Sequence, residues 1–358
     1  MRILALTRYG RLGASSRLRS LQFESVLEAM GVAIRVQPLI GDEMLREKYE
    51  SRNYRSGRML KAYAARIWQM LSRRQFDLVW IEKEALPWMP AALESVLLRD
   101  VPYVLDYDDA IFHNYDLHAS KWVRRALGRR IDRLMAGARL VVGGNDYLAQ
   151  RARDAGAPRV EVVPTVVDLD RYGFQAQHEQ TGVPHLVWIG SPSTVKYLGA
   201  LEMPLAVLAG RFEFKLRVIG ATLDMAGVDV ECVPWTEETE AQAIALCDVG
   251  IMPLADSPWE RGKCGYKLIQ YMACGLPVVA SPVGVNKQIV RDGIDGFLAE
   301  APDVWVARLE QLLGNPVLRK TMGKAGRHRV EAEYSVQQVG PWLASMLLSA
   351  GGETVCSD

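Results

Sequence analysis

The stretch that decides the fold is residues 259–285, WERGKCGYKLIQYMACGLPVVASPVGV. A short loop containing Gly262 and Gly265 precedes a run whose apolar residues recur at helical spacing. Gly275 then predicts the end of the helix, as a glycine at a helix C-terminus does. The apolar residues 277–280 are typical of a buried parallel strand. This order of loop, helix and strand predicts an α/β fold.

The start of this helix has the features of an anion-binding site. A glycine loop that enters a helix N-terminus presents unbonded backbone N–H groups and the positive end of the helix dipole, which suit a phosphate. Lys263 and Lys267 lie in or beside the first turn, and Gln270 lies three residues past Lys267, on nearly the same face. An ordinary strand–helix unit with solvated lysines would show the same pattern, so both interpretations stay open.

These residues resemble the nucleotide-sugar motif of the retaining glycosyltransferases of family 4, which have the GT-B fold. Residues 271–279, Tyr-Met-Ala-Cys-Gly-Leu-Pro-Val-Val, match the second part of the motif. The two glutamates of the motif are replaced, by Gln270 at the second position and by Gly262 at the first, with Glu260 two residues upstream. In the family the second glutamate holds the donor ribose hydroxyls, and a glutamine there can still accept and donate hydrogen bonds.

The resemblance extends more weakly over nearly the whole chain and implies two Rossmann-like domains. It implies parallel sheets that face a central cleft and a C-terminal helix that crosses back to the first domain. The length of 358 residues also fits two cores better than one. We predict an acceptor-side domain over 1–172, a polar linker over 173–184, a nucleotide-sugar domain over 183–333, and a helix and tail over 334–358 that pack on the first domain.

Charge is unevenly distributed, although the formal net charge is only +1. Residues 1–172 hold 28 Lys and Arg against 21 Asp and Glu, and residues 173–358 hold 15 against 21. The basic first half predicts an anionic partner. A phosphate-bearing acceptor or a bilayer surface fits better than nucleic acid, for which no motif is visible.

The five cysteines show no paired CxxC spacing, so the sequence predicts neither a zinc site nor a disulfide framework. Reduced thiols fit a cytoplasmic protein, with peripheral attachment to the inner face of the membrane as an open option. No apolar run is long enough to span a bilayer. Residues 1–7 are too short for a signal peptide and indicate a first strand.

Three polar loops follow predicted strands in the first half. The first contains Gly13, Ser16 and Arg17, and it lacks the dinucleotide fingerprint, so NAD is not indicated. In the resembled family this loop touches the donor phosphates or the acceptor. The second loop, 82–84, is Glu-Lys-Glu and lies where open α/β sheets place their sites. Charged residues 42–57 predict a surface loop or lid.

The third loop, 106–109, is Asp-Tyr-Asp-Asp and carries three carboxylates. They could receive hydroxyl protons, hold a cation or bind sugar hydroxyls. In the other large glycosyltransferase fold a D-x-D motif chelates a metal, but that fold has no counterpart to 259–285, so we predict no obligatory metal. The resembled family has a His-Asp pair near the donor sugar. Asp108 and Asp109 take that place, and His113 and His118 lie nearby in sequence.

Residues 121–135 predict one amphipathic helix. One face is apolar, and another carries a basic band beside Trp122: Lys121, Arg124, Arg125, Arg129, Arg130 and Arg133. Such a band can bind anionic lipid head groups. The alternative is the solvated face of a helix packed on a core.

In the second half of the chain, the resemblance implies which residues bind the donor. The family's loop after the first strand binds the donor diphosphate with an arginine and a lysine. Lys196 matches the lysine, and Lys263 or Lys267 would supply the second charge. The loop at Val233 would receive the nucleobase. The predicted donor-binding residues are Gly190, Ser191, Lys196, Val233, Trp235, Lys263, Cys264, Gly265, Lys267, Leu268 and Gln270.

The resemblance implies a retaining, metal-independent hexosyltransferase that moves a sugar from a nucleoside-diphosphate sugar, UDP ahead of GDP. The acceptor would be a glycan or a lipid-linked acceptor in surface polysaccharide or glycoconjugate synthesis, without a further cofactor. Cations on the leaving diphosphate would stabilise its developing charge. The predicted catalytic residues are Asp108, Asp109, Lys196 and Lys267. The alternatives are a nucleotide-sugar epimerase on the same fold and a non-catalytic nucleotide-sugar-binding protein; the oligomeric state is left open.

Overall fold

The computed structural model describes residues 1–51, 54, 56–173 and 182–352. Its contacts divide the chain into two compact units. Unit 1 contains residues 1–165, the segment 261–264 and the chain from Val339 onward, and unit 2 contains residues 166–260 and 265–338. Most of the predicted linker, residues 174–181, lies outside the described residues.

Unit 1 is built on a six-stranded parallel sheet in the order β2-β1-β3-β4-β5-β6. The residues of β3 and β4 are buried throughout, as expected for parallel strands covered on both faces. The strands are β1 Arg2–Tyr9, β2 Ala33–Ile40, β3 Leu78–Glu82, β4 Tyr103–Tyr107, β5 Leu140–Gly143 and β6 Val160–Val162. The helices between them are α1 Ala14–Arg19, α2 Glu24–Ala29, α3 Asp42–Ser51, α4 Ser56–Leu71, α5 Ala91–Leu97, α6 His113–Asp116, α7 Lys121–Leu127, α8 Arg130–Gly137 and α9 Asp146–Asp154.

Unit 2 is built on a second six-stranded parallel sheet, in the order β12-β11-β10-β7-β8-β9. Its strands are β7 His185–Ile189, β8 Lys215–Ile219, β9 Asp229–Val233, β10 Val249–Met252, β11 Val278–Ala280 and β12 Gly296–Leu298. The remaining helices are α10 Glu202–Ala209, α11 Glu240–Ala245, α12 Pro258–Arg261, α13 Tyr266–Ala273, α14 Asn286–Ile289, α15 Pro302–Leu313, α16 Pro316–Glu333 and α17 Val336–Gly351. From Val339 onward α17 belongs to unit 1. The predicted α/β fold with two parallel sheets is confirmed.

Two predictions about local structure are wrong. The segment expected as a loop over 42–57 begins with helix α3, whose first turn carries Asp42 and Glu43, acidic residues that stabilise a helix N-terminus. Leu45 anchors α3 in a small apolar cluster with Leu39 and Ile40.

The helix expected over 121–135 is two helices, α7 and α8, separated by Gly128 and Arg129. Glycine is a weak helix former, and the break lets Arg130 turn into the interior. Its guanidinium lies 3.2 Å from Glu84 and 2.7 Å from Glu94, and the residue is 2% exposed. Arg130 therefore does not belong to a surface band.

Candidate functional sites

The strand order of each sheet reverses direction at one point, which is where open α/β folds bind ligands beyond the carboxyl ends of the strands. In unit 1 the reversal lies between β1 and β3, and in unit 2 between β7 and β10. The loop 82–84 follows β3, and Gly190 follows β7. Each unit thus has a candidate site at its own reversal point.

The site in unit 1 is a cluster of carboxylates neutralised by lysines. Lys83 Nζ lies 2.9 Å from Asp108 Oδ1 and 3.2 Å from Asp109 Oδ2. Ser15 donates a hydrogen bond to the other oxygen of Asp108, and Lys263 Nζ lies 3.8 Å from Asp109 Oδ1. The side chain of Asp109 is 30% exposed, against 15% for Asp108, so Asp109 is the carboxylate that a substrate reaches more readily.

The opposite charges of this cluster stabilise each other's ionised forms. Burial alone would lower the pKa of Lys83, but the carboxylates of Asp108, Asp109 and Glu82 raise it above its ordinary value. Burial would likewise raise the pKa of Asp108, but Lys83 and the Ser15 hydroxyl bring it below its ordinary value. Both members of the Lys83–Asp108 pair are therefore ionised at neutral pH.

A second carboxylate pair lies beside the first. Glu82 and Asp106 are neighbours in the β3–β4 register and are almost completely buried. Arg19 Nε donates to Asp106 Oδ1 over 2.7 Å, while burial raises the pKa of Glu82 and raises that of Asp106 to about 6. Within the described part of the chain, one oxygen of each carboxyl has no hydrogen-bond partner.

The loop after β3 is fixed in an unusual conformation. Lys83 and Trp88 both have positive φ, at 63° and 62°, which costs a residue other than glycine conformational energy. Arg130 donates to the carbonyl of Leu86 over 2.7 Å, and Glu94 accepts from the amide of Ala85 over 2.7 Å. These buried bonds hold the loop so that Lys83 faces the aspartates.

The residues of the predicted phosphate or acceptor loop of unit 1 make contacts within the protein. Ser16 is fully buried, accepts from the amide of Tyr9 over 2.9 Å and donates to Glu82. Arg17 is 3% exposed and donates to the carbonyl of Arg11 over 3.1 Å. Gly13 is the buried N-cap of α1. These three residues build the turn and bring in Ser15, which sequence reasoning missed.

The two histidines near this loop have partners of their own. His113 bonds to Asp116 and to the hydroxyl of Tyr147, both over 2.8 Å. His118 packs edge-on against Trp88. The structure thus uses both rings in contacts away from Asp108 and Asp109.

In unit 2 the ends of three neighbouring strands converge. Gly220 follows β8 with φ 84°, and a Cβ there would lie 2.6 Å from the carbonyl oxygen of Gly190 and 3.1 Å from Trp235 Cβ. Ser191 closes a turn with Thr194, whose hydroxyl accepts from the Ser191 amide over 3.1 Å. This turn leads to the exposed Lys196. Gly190, Ser191, Trp235 and Val233, all predicted from the sequence to bind the donor, therefore lie at one edge of the sheet.

Helix α13 begins beside that edge. Gly265 is its N-cap, with φ 65°, and the first turn has no side-chain cap and no acidic residue. Lys267 Nζ lies 5.5 Å from the ring centroid of Trp188, a buried residue of β7. The predicted cation and the predicted helix N-terminus thus meet the end of β7, whereas Leu268 is fully buried in the core.

The other two residues of the glycine loop belong to unit 1. Lys263 pairs with Asp109, and the Cys264 thiol donates to the carbonyl of Asp108 over 3.2 Å. Burial raises the pKa of Cys264 above its ordinary value, so the thiol stays protonated. Among the predicted donor residues, Lys263 and Cys264 thus make their contacts within unit 1.

Gln270 is tied into a buried network that the sequence did not predict. Its Nε2 donates to the hydroxyl of Tyr172 over 2.6 Å, and that hydroxyl donates to Glu240 Oε1 over 3.0 Å. Trp235 Nε1 donates to the other oxygen of Glu240 over 2.7 Å. Tyr172 and Glu240 lie far from Gln270 in sequence, and no pattern in the chain links them.

Comparison with known proteins agrees with this architecture. Residues 15–165 match the family described as "Glycosyl transferase 4-like domain", and residues 183–315 match "Glycosyl transferases group 1". The chain belongs to the family-4, group 1 glycosyltransferases. The resemblance stated from the sequence is thereby confirmed.

Curated members of this family match parts of the chain. A D-inositol 3-phosphate glycosyltransferase of Pseudarthrobacter chlorophenolicus is 27% identical over 237 residues, which are 58% of this chain and 55% of that protein. A GDP-mannose-dependent monoacylated alpha-(1-6)-phosphatidylinositol monomannoside mannosyltransferase of Corynebacterium glutamicum is 31% identical over 157 residues, 40% of this chain and 41% of that protein. The chain spans about half the length of the curated relatives that it matches.

Solved glycosyltransferase structures share the fold. A sucrose-phosphate synthase from Thermosynechococcus elongatus superposes with a TM-score of 0.71 at 16% identity, covering 98% of both chains. The Anabaena protein HepE, in complex with UDP-glucose, has a TM-score of 0.72 at 17% identity and covers 98% of this chain and 100% of that chain. The GT-B expectation for the fold is confirmed by these neighbours.

Proposed function

We propose that this protein is a glycosyltransferase that moves a sugar from a nucleoside-diphosphate sugar to a hydroxyl of a glycan or lipid-linked acceptor. The reaction would serve surface polysaccharide or glycoconjugate synthesis and need no further cofactor. The observation that carries the proposal is the placement of Lys267 in the first turn of α13, beside Trp188 at the end of β7.

This arrangement suits a diphosphate. The first turn of α13 has no acidic residue, and the positive end of the helix dipole and the Lys267 ammonium place positive charge at the same spot. Lys196, exposed on the loop after β7, is the second candidate cation. Negative charge builds up on the diphosphate as the bond to the sugar breaks, so cations fixed there lower the barrier to transfer.

The acceptor side of the reaction is assigned to unit 1. Asp109 is the more exposed carboxylate of its cluster and is the candidate to orient the acceptor hydroxyl. Lys83 and Lys263 already balance the charge of Asp108 and Asp109, which favours a reaction independent of metal. Retention of configuration is proposed on the family resemblance.

The donor nucleotide is proposed as UDP. HepE, which shares the fold, is described in complexes with UDP and with UDP-glucose, whereas a curated relative is described as GDP-mannose-dependent. A calorimetric panel of UDP, GDP, UDP-glucose and GDP-mannose separates the two nucleotides directly.

The test of the site is Lys267→Ala. Loss of a charge-assisted contact to a diphosphate costs about 1.5–3 kcal/mol, so the Kd of the preferred nucleotide should rise about tenfold to a hundredfold. The control is Lys287→Ala, an exposed lysine of α14, which should bind as the wild type does. Equal affinity for both variants, or no nucleotide binding by the wild type, would overturn the proposal.

A further inference from the structure

We infer that Tyr172 and Glu240 are positioning residues for Gln270, and that the three side chains form a unit that accommodates only one carboxylate. The inference rests on the proposed function only in treating Gln270 as part of the donor site. That the three side chains form one unit is argued only from their contacts within unit 2.

The three side chains come from separate parts of unit 2 and meet in its core. Tyr172, Glu240 and Gln270 are 1%, 2% and 3% exposed, respectively. The Tyr172 hydroxyl lies between the other two, 2.6 Å from Gln270 Nε2 and 3.0 Å from Glu240 Oε1. Such a buried arrangement is stable only when every donor faces an acceptor.

The direction of each hydrogen bond follows from the chemistry of the groups. A phenol has one proton to donate, and burial raises the pKa of Tyr172 well above its ordinary value, so the proton stays. In the structure the phenol donates this proton to Glu240 Oε1. The amide of Gln270 must then turn its Nε2 toward the phenol oxygen, which leaves Oε1 as the atom that can accept from a ligand.

A carboxylate at position 270 conflicts with this arrangement. Two buried carboxylates would then compete for the single phenol proton, and one carboxylate oxygen would be left without that hydrogen bond. Glu240 also holds the indole of Trp235 over 2.7 Å and lies 3.6 Å from Arg171, so it cannot turn away without breaking further contacts. Gln270→Glu, although it introduces the residue found in the resembled family, should therefore impair the protein.

The experiment is a double-mutant cycle with wild type, Gln270→Glu, Glu240→Gln and the double variant. Thermal unfolding without ligand and the Kd for UDP are measured for each. Gln270→Glu should unfold at a lower temperature and bind UDP about tenfold more weakly. Glu240→Gln should also unfold earlier, because Tyr172 and Trp235 donate to different oxygens of Glu240 and a glutamine would turn its NH2 group toward one of these donors.

The double variant should recover most of both losses. The phenol would donate to the carboxylate at position 270 and accept from the amide at position 240, so the unit would again hold one carboxylate. In a Tyr172→Phe background the effects of Gln270→Glu and Glu240→Gln should become nearly additive, because the hydroxyl that links the two side chains is absent. As a control, Gln311→Glu, at an exposed position of α15, should leave both measurements unchanged.

The outcomes separate this inference from the proposed function. If the losses of the two single variants simply add in the double variant, the inference is wrong even when UDP binds. A gain of UDP affinity in Gln270→Glu alone would also overturn it. If the wild type binds no nucleotide, the proposed function fails, while the unfolding arm of the cycle still decides whether the three side chains act as one unit.

Discussion

Asp106 lies at the end of β4, fully buried, with Arg19 bonded to one of its oxygens. Burial raises its pKa from 3.8 to about 6, and Arg19 only partly opposes this. A raised pKa means that the folded state binds the proton more tightly than the unfolded state does. The resulting stabilisation is complete below about pH 4 and is lost as the pH rises through about 6.

We therefore predict a stability difference between wild type and Asp106→Asn that changes with pH. Between pH 4 and pH 7 the wild type should lose up to about 3 kcal/mol relative to the variant, which has no proton to release. Urea unfolding at several pH values measures this. Asp100→Asn, at an exposed site, should follow the wild-type curve. Parallel curves for wild type and Asp106→Asn would contradict the prediction.

The helix that the sequence marked most clearly, α13, depends on the residue before it. Gly265 has φ 65°, and a Cβ there would lie 2.3 Å from Ile289 Cδ1. Gly275, just past the other end of α13, also has positive φ, at 75°, but a Cβ there would meet no atom within 4 Å. Comparing alanine substitutions at these two glycines therefore distinguishes the cost of backbone strain from the cost of a steric clash.

Alanine at these two positions should therefore have unequal effects. Gly275→Ala should destabilise unit 2 by about 1 kcal/mol from strain alone. Gly265→Ala should cost about 2–4 kcal/mol, since Ile289 must also move, and it should weaken nucleotide binding by displacing the first turn of α13. Equal unfolding midpoints for the two variants would show that Ile289 adjusts freely.

The prediction of a single amphipathic helix over 121–135 was wrong. The 3.6-residue repeat of 121–135 was genuine, but Gly128 interrupts it and Arg130 is used internally by Glu84 and Glu94. The exposed cations that remain are Lys121, Arg125, Arg129 and Arg133, with Trp122 79% exposed beside them. Among the described residues, no helix is long and apolar enough to cross a bilayer.

For the whole molecule we propose that this reduced basic patch binds anionic membranes. Each cation near an anionic surface contributes about 1 kcal/mol, so Arg125→Glu with Arg129→Glu should weaken binding at least about tenfold. Flotation with phosphatidylserine vesicles tests this, and added salt should reduce wild-type binding. Lys287→Glu with Lys324→Glu, in unit 2, is the matched control. If binding does not depend on salt, or if both double variants lose it equally, the proposal that this patch binds membranes is wrong.

The sequence by itself predicted the α/β fold and the glycine end of α13, and the resemblance of residues 271–279 implied the two parallel sheets and the family. These features depend on local repeats, turn residues and a motif contiguous in the chain. It also placed Lys267 in or beside the first turn of the helix after the glycine loop, where the structure has it.

Only the tertiary structure decided which neighbours these residues have. Ser15 donates to Asp108, Lys263 pairs with Asp109, and Tyr172, itself bonded to Glu240, holds Gln270. Each of these contacts joins segments distant in sequence. A repeat fixes the face on which a side chain lies, but only the packing of distant elements brings its donor or acceptor within hydrogen-bond distance.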